Sequence, residues 1–164
     1  MEQSFKIVLV GSAGVGKTTF LEMIKDGKFN NKYVSTIGVD VVSVSFNSNV
    51  GKITFEVWDT AGQEKLMGLG DGYYVNACAA IIMFDVTNVL SYNDISSFNT
   101  RIKNVIGDNT PIVVVANKCE NPRKVKYSKQ VVMEMSVKFS HGIIEPFQKL
   151  ACILTGNNDL IFIL

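Results

Sequence analysis

The sequence predicts an α/β fold, a mostly parallel sheet with helices on both faces. Two observations carry this. Short β-branched runs alternate with segments whose apolar residues recur at helical spacing, the pattern of strands joined by helical crossovers. A glycine-dotted octapeptide, residues 11–18, falls between the first such strand and the first such helix.

The elements follow in order. Phe5 to Val10 is a β-branched run stopped by Gly11 and reads as a buried strand. Lys17 to Lys25 carries Phe20, Leu21 and Ile24 at helical spacing and ends before Gly27. Asn30 to Gly38 lacks periodicity and reads as a loop. Val41 to Phe46 and Lys52 to Trp58 read as strands, the second alternating Ile53, Phe55 and Val57 against Thr54, Glu56 and Trp58. A turn over residues 47–51 makes them a hairpin. Asp59 to Leu69 is polar and glycine-dotted, the composition of a mobile loop. Ala79 to Phe84 is a continuous apolar strand. Tyr92 to Ile106 is helical, with Ile95, Phe98 and Ile102 on one face. Ile112 to Ala116 is a buried strand, and Ile143 to Leu154 is helical through Ile144, Phe147, Leu150 and Ala151.

The 164 residues are 47% hydrophobic and 19% charged, enough to bury a core, and residues 1–164 read as one domain without repeat or linker. Sixteen basic residues against fifteen acidic ones leave a net charge of +1, so charge balance argues for neither nucleic acid nor a membrane surface. Three irregularly spaced cysteines (Cys78, Cys119, Cys152) and one histidine, His141, draw no zinc pattern and suit a reducing cytosolic or nuclear compartment. The longest apolar run, Ala77 to Phe84, is too short to span a bilayer, and no signal-peptide or lipidation pattern is present. The expectation is a soluble monomer without a membrane anchor. Arg123-Lys124-Val125-Lys126 reads as a solvated basic loop.

Gly11-Ser12-Ala13-Gly14-Val15-Gly16-Lys17-Thr18 fits the pattern G-x-x-x-x-G-K-[ST]. Glycines let the backbone fold tightly, so that successive N–H groups point at phosphate oxygens, and the following helix adds its positive end. Lys17 would neutralise the terminal phosphates, the Thr18 hydroxyl would meet a magnesium ion, and Thr19 would complete the nucleotide-binding run. Some forty residues on, Trp58-Asp59-Thr60-Ala61-Gly62-Gln63-Glu64 closes a strand. Asp59 can hold a metal-bound water, the Gly62 N–H can meet a γ-phosphate, and the Gln63 amide can orient an attacking water. Alone, this second segment is also compatible with a plain turn. Its place at a strand's carboxyl end favours the ligand.

With these motifs the chain resembles the Ras superfamily of small GTPases, and within it the Ran-type branch. The similar stretches are residues 32–39, 57–65, Asp71-Gly72-Tyr73-Tyr74, residues 81–87 and 123–126, covering almost the whole chain. The resemblance implies a three-layer P-loop fold with a six-stranded sheet, bound GTP or GDP with Mg²⁺, and slow GTP hydrolysis. It implies that Thr36 joins Thr18 and Asp59 around the metal, that Thr36 and Gly62 hold the switch segments, that Phe29 packs on guanine, and that Tyr33 covers the phosphates and influences their hydrolysis beside Gln63 and Lys17. Without it, Thr36, Phe29 and Tyr33 read equally as a loop hydroxyl, a core ring and a surface tyrosine.

Asn117-Lys118-Cys119-Glu120 matches the base-reading segment N-K-x-D, and Ser136-Val137-Lys138 matches S-A-K, whose middle N–H meets the guanine carbonyl. The Ran-type likeness further implies importin-β-like transport receptors, an exchange factor, an activating protein, and a place in nucleus and cytoplasm. A non-cycling nucleotide-binding interaction protein and a Rab-like traffic GTPase are the alternative readings.

The chain departs from that pattern in four places. Glu120 is one methylene longer than the family's aspartate, which predicts weakened guanine affinity or a shifted loop. Ala13 replaces a glycine beside the γ-phosphate, which predicts slower hydrolysis. Residues 121–130 are too few for a helical crossover, so the fourth helix is expected to be shortened or lost. The sequence reaches Leu164 without the family's acidic tail, which predicts a tilt toward the GTP form.

Overall fold

The computed structural model describes the backbone of residues 1–26, 30–36, 39–59 and 70–164, and side chains for 1–26, 40–59 and 72–164. Its elements are β1 (Glu2–Val10), α1 (Lys17–Asp26), β2 (Asn30–Thr36), β3 (Val39–Ser48), β4 (Gly51–Asp59), a 3₁₀ turn (Gly70–Tyr74), β5 (Ala79–Asp85), α2 (Val89–Asn93), α3 (Ile95–Val105), β6 (Ile112–Asn117), β7 (Val132–Glu134), α4 (Glu145–Thr155) and β8 (Phe162–Ile163).

The strands form one mixed sheet in the order β2-β3-β4-β1-β5-β6-β7, with β8 also on β3. Strands β4, β1, β5, β6 and β7 run parallel, while β3 lies antiparallel to β2, β4 and β8. Alternation along β1 shows why helices cover both faces. Ile7 and Leu9 pack with Phe20, Leu21 and Ile24 of α1 and Phe147 and Leu150 of α4. Val8 and Val10 turn the other way, toward Ile102 of α3. Every residue of β5 is buried, so it reads as an unbroken apolar run. On β4, by contrast, Lys52 and Glu56 are exposed, hence its alternation.

Among the described residues two strands exceed the expected six. Asn30–Thr36, read from sequence as a loop, pairs antiparallel with β3 in full register, Asn30 opposite Ser45 and Thr36 opposite Val39. Backbone pairing along β3 makes this strand, so apolar periodicity does not announce it. The short β8 adds to β3 through Asn47 and Ser48. Its Phe162 stacks on Phe46, with ring centroids 4.3 Å apart, beside Phe55 and Phe147.

The helix expected over Tyr92–Ile106 starts earlier and is broken at Asp94. The Asn88 side chain caps α2 by accepting from the N–H groups of Leu90 and Ser91. The Asp94 side chain makes no cap bond to α3. Between β6 and β7 no helix forms: Lys118 to Val131 is a chain of turns, as its shortness requires. Val125 and Tyr127 from this connection cover Phe84, Ala116 and Val132, the apolar surface a crossover helix would otherwise shield.

Candidate functional site

The site lies at the carboxyl ends of the parallel strands. Leu9 of β1 pairs with Asp59 of β4, and Asp85 of β5 pairs with Asn117 of β6. Adjacent strands thus deliver the glycine loop, the Asp59 carboxylate and the Asn117 segment to one edge. This is where ligands sit in open α/β sheets.

Residues 11–18 curl onto the start of α1. The buried Lys17 ammonium donates to the carbonyls of Gly11 and Ser12, the latter at 3.0 Å. Ser12 is held a second time, because its hydroxyl donates to Asp94 Oδ2 at 2.5 Å. This bond engages the Asp94 side chain that left α3 uncapped. Gly16 has φ of +108°, and a Cβ there would overlap Asn117 Nδ2. Only glycine admits both the dihedral and the close approach. Ala13, Gly14, Gly16, Lys17, Thr18 and Thr19 face Lys118 across an open cavity of about 290 Å³.

Asn117 is nearly fully buried and joins three segments. Its Nδ2 donates to the Val15 carbonyl at 2.9 Å, and its Oδ1 accepts from the Val137 N–H at 3.1 Å. Lys118, at φ +62°, crosses to the glycine loop and donates to the Gly14 carbonyl at 3.0 Å. It also pairs with Asp85 Oδ2 at 2.7 Å. Burial pushes the Asp85 carboxyl up, but the bonds from Lys118 and Thr87 outweigh it and hold the group below the usual aspartate range.

Residues 136–141 close as a small hairpin, Ser136 and His141 exchanging backbone bonds of 2.9 Å while Lys138 is exposed. The buried Val137 N–H, which the resemblance assigns to the base, donates here to the Asn117 amide oxygen and so ties the two loops together. A buried N–H must find an acceptor, and the Asn117 amide oxygen is the one within reach. Glu120 is half-buried, with its Oε2 enclosed and without a hydrogen-bond partner.

Three features escaped the sequence reading. Asp85 is the counter-charge of Lys118, signalled only by its place at the end of an apolar strand before Thr87. Asp94 is the partner of Ser12, with no signal across 82 residues. Arg123, expected in a solvated basic loop, pairs with Glu134 at 3.0 Å because β7 returns beside the turns that carry it.

Phe29, Gly62 and Gln63 lie outside the described residues, as does the loop read over Asp59–Leu69 apart from Asp59. Tyr33 and Thr36 are described in backbone alone, both on β2. For a metal, Thr18 offers an exposed hydroxyl at the first turn of α1 and Asp59 a buried carboxylate at the end of β4. Such an all-oxygen donor set suits a hard cation such as Mg²⁺. No cluster of three His, Cys, Asp or Glu residues occurs among the described residues, so carboxylates or imidazoles alone do not make a metal site there. No helix among them is long and apolar enough to cross a membrane.

The arrangement can hold an elongated anion against main-chain N–H groups, with Lys17 at one end and the loops carrying Asn117 and Val137 at the other. The Ras family profile matches residues 6–153, almost the whole of this sheet and its loops. The chain therefore belongs to the Ras family, the small GTPases that bind GTP and GDP with Mg²⁺ and act as switches.

Proposed function

We propose that this chain is a Ran-like guanine-nucleotide switch with slow GTP hydrolysis, acting in the import and export of protein across the nuclear envelope. The observation that carries the nucleotide reading is the Asn117 bridge. One side chain ties Val15 of the phosphate loop to Val137 of the base-side loop, while Lys118 reaches Gly14. Segments more than a hundred residues apart thus form a single cradle. The Ran-type reading rests on the stretches Asp71-Gly72-Tyr73-Tyr74 and residues 81–87.

In this reading, N–H groups of residues 13 to 18 hold the phosphates, and Lys17 offsets charge that develops on the γ-phosphoryl oxygens. Thr18, Thr36 and Asp59 hold the Mg²⁺ ion, which when bound neutralises the phosphates. Gln63 orients the attacking water, and Tyr33 closes over the phosphates. Thr36 and Gly62 grip the γ-phosphate, and its loss releases both segments. Phe29, Asn117, Lys118, Glu120, Ser136, Val137 and Lys138 frame the base. The partners are an exchange factor, an activating protein and importin-β-like receptors that take the GTP form, met by a monomer shared between nucleus and cytoplasm.

Chromatography of nucleotide released from protein purified natively with Mg²⁺ tests the reading. GDP or GTP at near one per chain is expected, and a folded protein that retains neither, even at millimolar supply, overturns it. Glu120 favours one second reading, a nucleotide-holding protein that no longer cycles. Single-turnover release of phosphate from bound GTP distinguishes the two.

A further inference from the structure

The two acidic side chains of the base-side region differ in their surroundings. Glu134 on β7 is saturated. Its Oε1 accepts from the Tyr127 hydroxyl at 2.9 Å and from Arg123 Nη2 at 3.0 Å, and its Oε2 pairs with Lys129 at 3.3 Å. The Arg123 guanidinium also lies over the Tyr127 ring, 5.0 Å from its centroid. Glu120 has Oε2 enclosed and no donor upon it. Cys119 feels both carboxylates: burial, then Glu134 and Glu120, raise its thiol pKa, while Arg123 lowers it. The Cys119 N–H also bonds to the carbonyl of Met135, the residue after Glu134.

Arg123 stands three residues after Glu120 in a run of turns, so an ion pair between them is the obvious way to relieve the enclosed oxygen. It does not form, because Glu134 offers Arg123 a carboxylate and a ring face together. We infer that Glu134 is a specificity-determining residue that, by holding Arg123, keeps Glu120 open as an acceptor for a purine edge carrying adjacent N–H donors. This rests on the proposed nucleotide site and adds to it a residue that does not touch the base. The helix-free connection makes this possible: with only turns between β6 and β7, Arg123 follows Glu120 by three residues and reaches Glu134 at 3.0 Å.

The test compares dissociation constants of GDP and xanthosine diphosphate, measured with Mg²⁺, for the wild type, Glu134→Gln, Arg123→Ala and the double variant. Xanthine replaces one N–H donor edge by a carbonyl, so an open carboxylate rejects it. In Glu134→Gln, Arg123 turns to Glu120, and the preference for GDP should narrow about tenfold. Adding Arg123→Ala should restore the preference to within about twofold of wild type, which a purely structural role for Glu134 would not produce. Arg123→Ala alone should keep the preference within about twofold, and it remains readable if Glu134→Gln fails to fold. An unchanged preference in Glu134→Gln, a loss that Arg123→Ala does not rescue, or a collapse in Arg123→Ala alone overturns the inference. A wild type that holds no guanosine nucleotide overturns both the proposed function and this inference. A guanine-selective wild type with any of those variant results overturns the inference alone.

Discussion

The loop over residues 11–18 and the connection over residues 118–141 meet at Asn117, yet they are held by different means. The first keeps its shape through backbone: positive φ at Gly14 and Gly16, and loop carbonyls gathered by Lys17. The second has lost its helix and keeps its shape through side chains, with Tyr127, Arg123 and Lys129 converging on Glu134. A motif with set glycines tolerates almost no change at those positions. A connection held by several partly exposed contacts should fail by degrees.

The largest effect expected is at Gly16→Ala. Its Cβ would collide with Asn117 Nδ2 at a dihedral side chains rarely adopt, which separates the two regions at their shared residue. A loss of about 3 kcal/mol or more in thermal unfolding, together with loss of retained nucleotide, is expected. Gly14→Ala is the control, because φ is also positive there but nothing lies within 4 Å of the added Cβ. It should cost only about 1 kcal/mol. Equal costs at the two sites would show that dihedral strain alone matters and that the Asn117 contact does not.

Asp85→Asn comes next, since Asp85 binds Lys118 of the connection to the end of β5. Lys118 is one-third exposed, so the expected loss at neutral pH is about 2 kcal/mol, below that of a wholly buried pair. The folded carboxyl titrates below its ordinary value. Its contribution is therefore complete above roughly pH 4 and disappears as pH falls through the folded value. Denaturant unfolding at several acidic pH values should give a flatter acid limb for Asp85→Asn than for wild type.

The same contrast explains what the sequence let one read. Val8 and Ile7, Ala80 and Ile81 declare two covered faces because burial on both sides leaves nothing but apolar residues. The glycine loop is legible because its geometry is local. Asn30–Thr36 is not, because a strand of Asn, Lys, Ser and Thr owes its form to the backbone of β3. Missing length between Glu120 and Ser136 foretold the lost helix. It could not foretell what would replace it, since Tyr127 and Glu134 meet only after the chain turns back. Likewise Ser12 and Asp94 become partners only when α3 lies along the sheet.

Tyr127→Phe should have the smallest effect and sharpens the comparison most finely. The substitution keeps the ring that covers Phe84 and stacks with Arg123, and removes one bond to Glu134. Arg123 and Lys129 still satisfy that carboxylate, so the loss should be about 1 kcal/mol at neutral pH. Burial, and then the bond to Glu134, push the phenol up to about 12. A raised folded value means that the bond's contribution is whole below the ordinary tyrosine range and is lost only as pH climbs through that higher value. The tyrosinate absorbance of wild type minus Tyr127→Phe should accordingly titrate near that value and not at the ordinary phenol pKa. An ordinary titration would mean that the Tyr127 hydroxyl is open to water. The connection would then rest on the Arg123 and Lys129 pairs alone, and its stability should fall with added salt, as exposed ion pairs do.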